Sequence, residues 1–310
     1  AAISLAQSGF DVSVYERNSR IGGKLNYLEA EGYTFDLGPS ILTLPQHFES
    51  LFSRSGRDMA DYLTIRRVRP HWRNFFEDGK VVDLVPDPED MAEQARKAGE
   101  PPKNVAEFLE YSGRLYDLID RGYFRQGLDN SREFREFYGL SAFPRFDLFR
   151  SMHQGVKRFL DTPHMRDIFD FFIKYVGSSA LRAPAFMNCL PTIQFRYDLW
   201  YVDGGMYGLA RGLGKLMEEL GVDVHLDCEV ASILKEGRRV GGLRLADGRR
   251  VESDFVVSNR EVIPAYRDLL EEDESFMRSL RRYEPACSGL VLDLGLDTEL
   301  WLKSILQRFE

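Results

Sequence analysis

Val12-Ser13-Val14-Tyr15-Glu16, followed directly by Arg17-Asn18-Ser19-Arg20-Ile21-Gly22-Gly23-Lys24, is the stretch whose reading decides the fold. The apolar residues alternate, so Asp11 to Glu16 is expected to form a short strand that ends in an acid. Ala1 to Ser8 ahead of it reads as the back half of a helix, and Gly9 is placed to close it with a positive φ. Helix, strand and terminal acid in this order make the second half of a dinucleotide-binding βαβ unit. In such a unit the acid lies roughly 20 residues after the glycine-rich phosphate turn. Counted back from Glu16, that turn falls before Ala1, so the chain is expected to begin inside the first helix as a piece of a longer protein.

The chemistry of the stretch follows from its residue types. A carboxylate at Glu16 can accept two hydrogen bonds from ribose hydroxyls. Gly22 and Gly23 let the backbone approach a pyrophosphate or a ribityl chain without a Cβ in the way, and Lys24 adds a cation. Each has an ordinary alternative, a solvated acid or a tight turn, but the succession of strand, acid and Gly-Gly-Lys favours binding. Arg17 has two equal readings, an adenosine contact or a solvated side chain.

Length and composition set the outer limits. The 310 residues suffice for one large or two ordinary domains. A net charge of −8 argues against a general nucleic-acid binder, which needs a basic face. The three cysteines are far apart and form no Cys-x-x-Cys pair, so neither zinc nor a disulfide framework is expected, and a reducing, cytoplasmic setting is the simplest. No apolar run has the length of a membrane span, and no signal peptide is visible.

Tyr33 to Asp36 reads as a second strand, broken by Leu37-Gly38-Pro39-Ser40, and Pro45 opens a helix to about Arg54. Trp72 to Phe76 and Val81 to Leu84 flank Asp78-Gly79, a hairpin signal. Asn104 with Glu107 one turn later predicts a capping box, and Thr162-Pro163 starts a further helix. After Trp200 the nucleotide-domain pattern returns. A helix from Tyr207 to Leu220 closes at Gly221 and a strand runs from Val222 to Leu226. Further strands are expected at Glu229 to Lys235, Val240 to Leu245, Arg250 to Ser258 and Leu290 to Leu294. Gly208 and Gly212, one turn apart on that helix, imply either close packing or direct approach to a cofactor.

Tyr15 to Lys24 resembles the second flavin fingerprint of the FAD-dependent amine-oxidase-like superfamily, and Phe35-Asp36-Leu37-Gly38-Pro39-Ser40 resembles the bacterial phytoene desaturase family of carotenoid desaturases and isomerases. Trp200 to Tyr207 is similar to the family's segment before a flavin-domain helix. Asp254 to Asn259 is similar to the strand that ends beside the cofactor. The resemblance implies an α/β fold, a Rossmann-type FAD-binding domain interrupted by a mainly helical α+β substrate domain. On that basis residues 1–65 and 200–275 are the two parts of the FAD-binding domain. Residues 66–199 are the substrate- and membrane-facing domain, and 276–310 begin a return to it. The implied FAD contacts are Glu16, Arg17, Gly22, Gly23, Lys24, Gly38, Pro39, Ser40, Val230 through its backbone, and Asn259. Val230 is equally well read as a core residue. The family's opening Gly-x-Gly-x-x-Gly and its glycine-rich C-terminal flavin motif are absent from the sequence.

The implied activity is desaturation of a long polyisoprenoid such as a phytoene- or diapophytoene-like carotenoid precursor. Flavin takes the hydride, and a quinone or oxygen receives the electrons. No catalytic acid or base is singled out, and no metal is implied. A flavin amine oxidase and a carotene isomerase share the same motifs. Rab GDP-dissociation inhibitors share the architecture as flavin-free binders of prenylated proteins, although Glu16 and Lys24 have no use there.

The remaining clusters carry less. Phe169, Phe171, Phe172, Tyr175, Phe186, Phe195 and Tyr197 are expected to be mostly core, with a minority lining a polyene tunnel. Arg66, Arg67, Arg69, His71 and Arg73 form a basic cluster that either pairs with acids or meets anionic lipid headgroups, which would suit peripheral attachment to a membrane. The histidines show no metal-ligand spacing, and no Gly-x-Ser-x-Gly occurs.

Overall fold

The computed structural model describes residues 1–295 apart from 129, 238, 284, 285 and 288. Helix α1 (Ala2–Gln7) buries Ile3, and Gly9 follows at φ 85°, a backbone that favours glycine. Strand β1 (Ser13–Tyr15) comes next, then the hairpin of β2 (Asn26–Ala30) and β3 (Tyr33–Leu37), and helix α2 (Pro45–Ser53) with proline in its first turn. Strand β4 (Ile65–Arg67) leads to a second hairpin, β5 (Trp72–Phe75) and β6 (Val81–Leu84). A helical stretch follows: α3 (Pro88–Ala98), α4 (Pro102–Ile119), α5 (Ser131–Tyr138), α6 (Met152–Lys157), α7 (Pro163–Asp170) and α8 (Leu190–Tyr197). Then come β7 (Trp200–Val202), α9 (Tyr207–Glu219), β8 (Asp223–His225) and the antiparallel β9 (Val230–Glu236), β10 (Arg239–Leu245) and β11 (Arg250–Glu252).

The chain leaves its first part along β4 and returns along β7. These strands pair antiparallel, with Ile65 opposite Val202 and Arg67 opposite Trp200. The return places β8 parallel to β1, Ser13 opposite Asp223 and Tyr15 opposite His225. Parallel neighbours need a long crossover, which the helical stretch and α9 supply. Two hydrophobic cores result. One gathers Ile3, Leu42, Phe52, Val202, Met206 and Leu216, and the other holds β6 against the helical stretch around Phe108, Met152, Phe169 and Phe172. The fold is mixed α/β. Among the described residues β1 and β8 are the only parallel pair, so a broad doubly wound sheet is not formed by them.

Three expectations need correction. No capping box forms at Asn104: α4 begins at Pro102, whose fixed φ suits the first turn, and the Asn104 amide donates instead to Glu100 at 2.7 Å and Asp161 at 3.0 Å. The strand expected over Arg250 to Ser258 stops at Glu252, after which Phe255 and Val257 are exposed and join no ladder among the described residues. Among the described residues Leu290 to Leu294 likewise joins no ladder, although its apolar run suits a strand, because a strand needs a neighbour to take its backbone groups.

The basic cluster takes the first of its two readings, pairing with acids. Arg66 meets Asp203 at 3.1 Å, Arg67, Arg69 and His71 all meet Asp198, and Arg73 meets Asp83 at 2.8 Å. Every member has an acidic partner within the chain. Gly208 and Gly212 serve packing: a Cβ would meet Val202 at 2.8 Å and Leu63 at 2.7 Å, respectively. Of the aromatic zone, Phe169 and Phe172 are wholly buried core, whereas Phe171 and Tyr175 remain 54% and 41% exposed. Among the described residues no helix is long and apolar enough to cross a membrane.

Candidate functional site

Glu16 is held at the carboxyl end of β1 by backbone bonds on both sides. Its N–H donates to the His225 carbonyl at 2.9 Å, and its own carbonyl accepts the Cys228 N–H at 2.8 Å. The side chain is fixed locally. Oε1 accepts both the Asn18 N–H at 2.8 Å and the Asn18 side-chain amide at 2.6 Å. Oε2 has no donor among the described residues. Such a carboxylate, oriented through one oxygen and open at the other, is chemically suited to a ribose hydroxyl. Arg17 beside it is exposed and has no acidic partner among the described residues.

The glycine turn is shaped by what surrounds it. Gly22 has φ 118°, and a Cβ there would lie 2.3 Å from the Leu25 carbonyl oxygen, 3.1 Å from the Tyr207 ring and 3.4 Å from Ala210. Tyr207 and Ala210 belong to α9, so Gly22 lets the turn seat directly on that helix. Gly23, at φ 58°, has open space where a side chain would stand. Gly38, at φ 86°, abuts the Lys24 backbone. The sequence beyond Pro39 and Ser40 is then pinned by Leu42, which exchanges backbone bonds of 2.7 and 2.9 Å with Trp200. The two motifs, Gly22-Gly23-Lys24 and Gly38-Pro39-Ser40, thus touch where Gly38 meets Lys24.

Two further residues shape the site and were not singled out by sequence. Asn18 fixes Glu16. Asp36 sends Oδ2 to the Tyr201 hydroxyl at 2.7 Å and Oδ1 to the Met206 N–H at 2.8 Å. That hydrogen bond, helped by burial, raises the Tyr201 phenol above its ordinary pKa. A charged residue between Phe35 and Leu37 in a short strand was the available signal for Asp36. Beside the turn, the Arg20 guanidinium sits 4.4 Å over the Tyr27 ring, which packs on Tyr207 at 4.9 Å. A cleft of about 440 Å³ opens there between Ile21, α9 and β8.

The last two expected contacts are placed unequally. Val230 starts β9, half-buried and opposite Leu245, just after the Asp227 and Cys228 amides that bond the Asn18 and Glu16 carbonyls. It therefore lies two residues beyond the Cys228 amide that is bonded at the end of β1. Asn259 lies exposed in the irregular segment after β11, and among the described residues no hydrogen bond ties it to the others.

These observations fit FAD. Gly22, Gly23 and Lys24, with Gly38, Pro39 and Ser40, would hold the phosphate-bearing part, and Glu16 the adenosine ribose. FAD itself supplies two-electron acceptance, while these residues supply position and charge.

The comparisons agree with that reading. The chain matches the family model described as flavin containing amine oxidoreductase over residues 1–307. It is 52% identical over 301 residues to a protein named 4,4'-diapolycopene oxygenase from a Methylomonas species, covering 96% of this chain and 60% of the relative. It is 45% identical over 302 residues to a protein named 4,4'-diaponeurosporene oxygenase from Staphylococcus haemolyticus, with the same coverage of 96% and 60%. The chain thus spans about 60% of the length of the curated relatives it matches. Among solved structures, a putrescine oxidase variant gives a TM-score of 0.60 at 17% identity, covering 91% of this chain and 60% of that one. An oxidoreductase from Methanosarcina mazei gives 0.58 at 16% identity, covering 90% and 61%. Those two likenesses show the fold alone. The family match supports FAD as the cofactor. Running nearly the whole length of the sequence, that match settles the assignment: the chain belongs to the flavin containing amine oxidoreductase family.

Proposed function

We propose that the full-length protein is an FAD-dependent oxidoreductase that oxidises a long, linear carotenoid. The observation that carries this reading is the 52% identity with a protein named 4,4'-diapolycopene oxygenase across 96% of this chain. Glu16 and the glycine turn support the flavin half of the proposal. Two oxidations are in play. The motifs pointed to desaturation of a phytoene- or diapophytoene-like precursor. The relatives' names favour oxygenation of a carotenoid that is already extensively unsaturated, and that is the reading adopted here. In oxygenation, one atom of molecular oxygen enters the product while the other is reduced to water with two electrons from an external donor; in desaturation, two electrons leave the substrate for a quinone or oxygen that does not enter the product.

The amine-oxidase alternative rests on the likeness to putrescine oxidase, which at 17% identity carries fold and no substrate. The flavin-free alternative leaves the open Oε2 of Glu16 and the open face of Gly23 without a purpose. A lipophilic substrate implies uptake from a bilayer, and we place the protein at the cytoplasmic membrane surface without assigning that contact to the paired Arg66–Arg73 cluster.

The test uses purified full-length protein with diapophytoene, diaponeurosporene or diapolycopene in liposomes under air. Carotenoid products that gain oxygen support oxygenation. Products that only lose hydrogen support desaturation. A colourless protein that takes up no FAD, or one that leaves all three polyenes unchanged while releasing peroxide with polyamines, overturns the proposal.

A further inference from the structure

The Asp36 carboxylate joins parts of the chain that are far apart in sequence. Through Oδ1 it holds Met206, the residue that opens α9, and through Oδ2 it holds Tyr201 in the returning strand β7. Gly205, at φ 104°, comes so close that a Cβ there would stand 3.1 Å from Oδ1. Along β3, Gly38 abuts Lys24, and α9 carries the Tyr207 and Ala210 side chains on which Gly22 rests. The contacts close a ring. The glycine turn sits on α9, α9 is tied to Asp36, and Asp36 returns through β3 and Gly38 to the glycine turn.

We propose that Asp36 is the positioning residue for the FAD-binding turn: by fixing α9 and β7 against the β2–β3 hairpin, it holds Gly22-Gly23-Lys24 in the conformation that receives FAD. The inference rests on the FAD reading above. Both carboxylate oxygens are engaged within the chain, so Asp36 acts through its neighbours and need not touch the cofactor. A carboxylate is suited to the task. The first amides of a helix lack intrahelical partners, and the helix dipole favours a negative charge at that end. Charge-assisted bonds to an amide and a phenol are also stronger than neutral ones.

The test compares full-length wild type with Asp36→Ala, Asp36→Asn and Tyr201→Phe. FAD is titrated into each apoprotein by flavin fluorescence, and the melting temperature of each apoprotein is measured alongside. Asp36→Ala should weaken FAD binding about tenfold, and Tyr201→Phe about threefold with the apoprotein melting temperature unchanged. Asp36→Asn, whose amide oxygen still accepts the Met206 N–H, should fall between wild type and Asp36→Ala. Wild-type affinity in Asp36→Ala, or affinity falling only in step with apoprotein stability in all three, overturns the inference. If Asp36→Ala does not fold, Tyr201→Phe decides alone: wild-type affinity there overturns it. Wild type that binds no FAD defeats the cofactor reading itself, and the inference with it.

Discussion

Gly38 lies so close to Lys24 that a Cβ on it would stand 2.0 Å from the Lys24 carbonyl oxygen. The neighbour is backbone, which cannot swing aside, and Gly38 already has φ 86°. Gly38→Ala therefore meets both a clash and a strained backbone. We expect it to lower unfolding stability by about 3 kcal/mol and to reduce FAD retention, read by urea denaturation and by the flavin-to-protein absorbance ratio. The control is Gly23→Ala, which meets nothing within 4 Å and faces only its φ of 58°. It should cost clearly less stability. Equal losses at the two positions would show that close packing of the motifs does not hold the turn.

Glu16 gives a prediction about which half of the cofactor is recognised. Glu16→Gln keeps an oxygen for Asn18 but loses the charge. A hydrogen bond to a charged group contributes about 1.5–3 kcal/mol, so FAD affinity should fall roughly 10- to 100-fold with little change in stability. FMN has no adenosine ribose, so its weaker binding should be unaffected. Parallel titrations of wild type and variant with both flavins check this. An equal loss for FMN would place Glu16 elsewhere on the cofactor.

What the sequence made legible was local. Alternation in Val12 to Glu16 and the Gly-Gly pair act over a few residues, and the helix, strand and turn stand where that pattern put them. The distant partners that hold the site together were not legible. Asp36 finds its partners 165 and 170 positions away, and Asp198 meets Arg69 and His71 from 129 and 127 positions away. A charge cluster read in one dimension does not say which acids will pair it until the fold brings them. The capping box failed for a related reason: Pro102 imposes the helix start, and Asn104 is drawn to the buried Glu100.

Glu100 is 2% exposed, yet its carboxylate has donors all around it. It accepts the Asp161 N–H, the Thr162 N–H at 2.7 Å, the Thr162 hydroxyl at 2.8 Å and the Asn104 amide at 2.7 Å. Burial pushes its pKa up, but these donors outweigh burial and hold it below its ordinary 4.5. The charged form is thus favoured in the fold. Its contribution is present above the unfolded value of 4.5 and is lost as pH falls through the lower folded value. Glu100→Ala should cost about 3 kcal/mol at neutral pH, because the Asp161 and Thr162 amides just before α7 lose their acceptor. Glu100→Gln should also flatten the acid limb of the stability curve. An unchanged acid limb in that variant would remove Glu100 from the linkage.

His71 predicts a loss of stability with falling pH of the same sign, in a higher pH window. Its ring is wholly buried, with Nε2 at 2.9 Å from Asp198 and 2.7 Å from Arg69, and Nδ1 has no partner among the described residues. Burial lowers its pKa below 6.5, and the Arg69 charge adds to that against the opposing pull of Asp198. The neutral ring is therefore the form that the fold favours. As pH drops through 6.5 the unfolded chain takes up a proton that folded His71 still refuses. Stability falls across that window and stops falling once the folded ring is protonated as well. The urea midpoint of wild type should decline between about pH 7.5 and about pH 5.5, with a slope of at most about 1.4 kcal/mol per pH unit from this group. His71→Gln should lose that component. Identical pH slopes for wild type and His71→Gln would mean that the ring beside Asp198 and Arg69, where the chain crosses between its two cores, titrates alike in the folded and unfolded states.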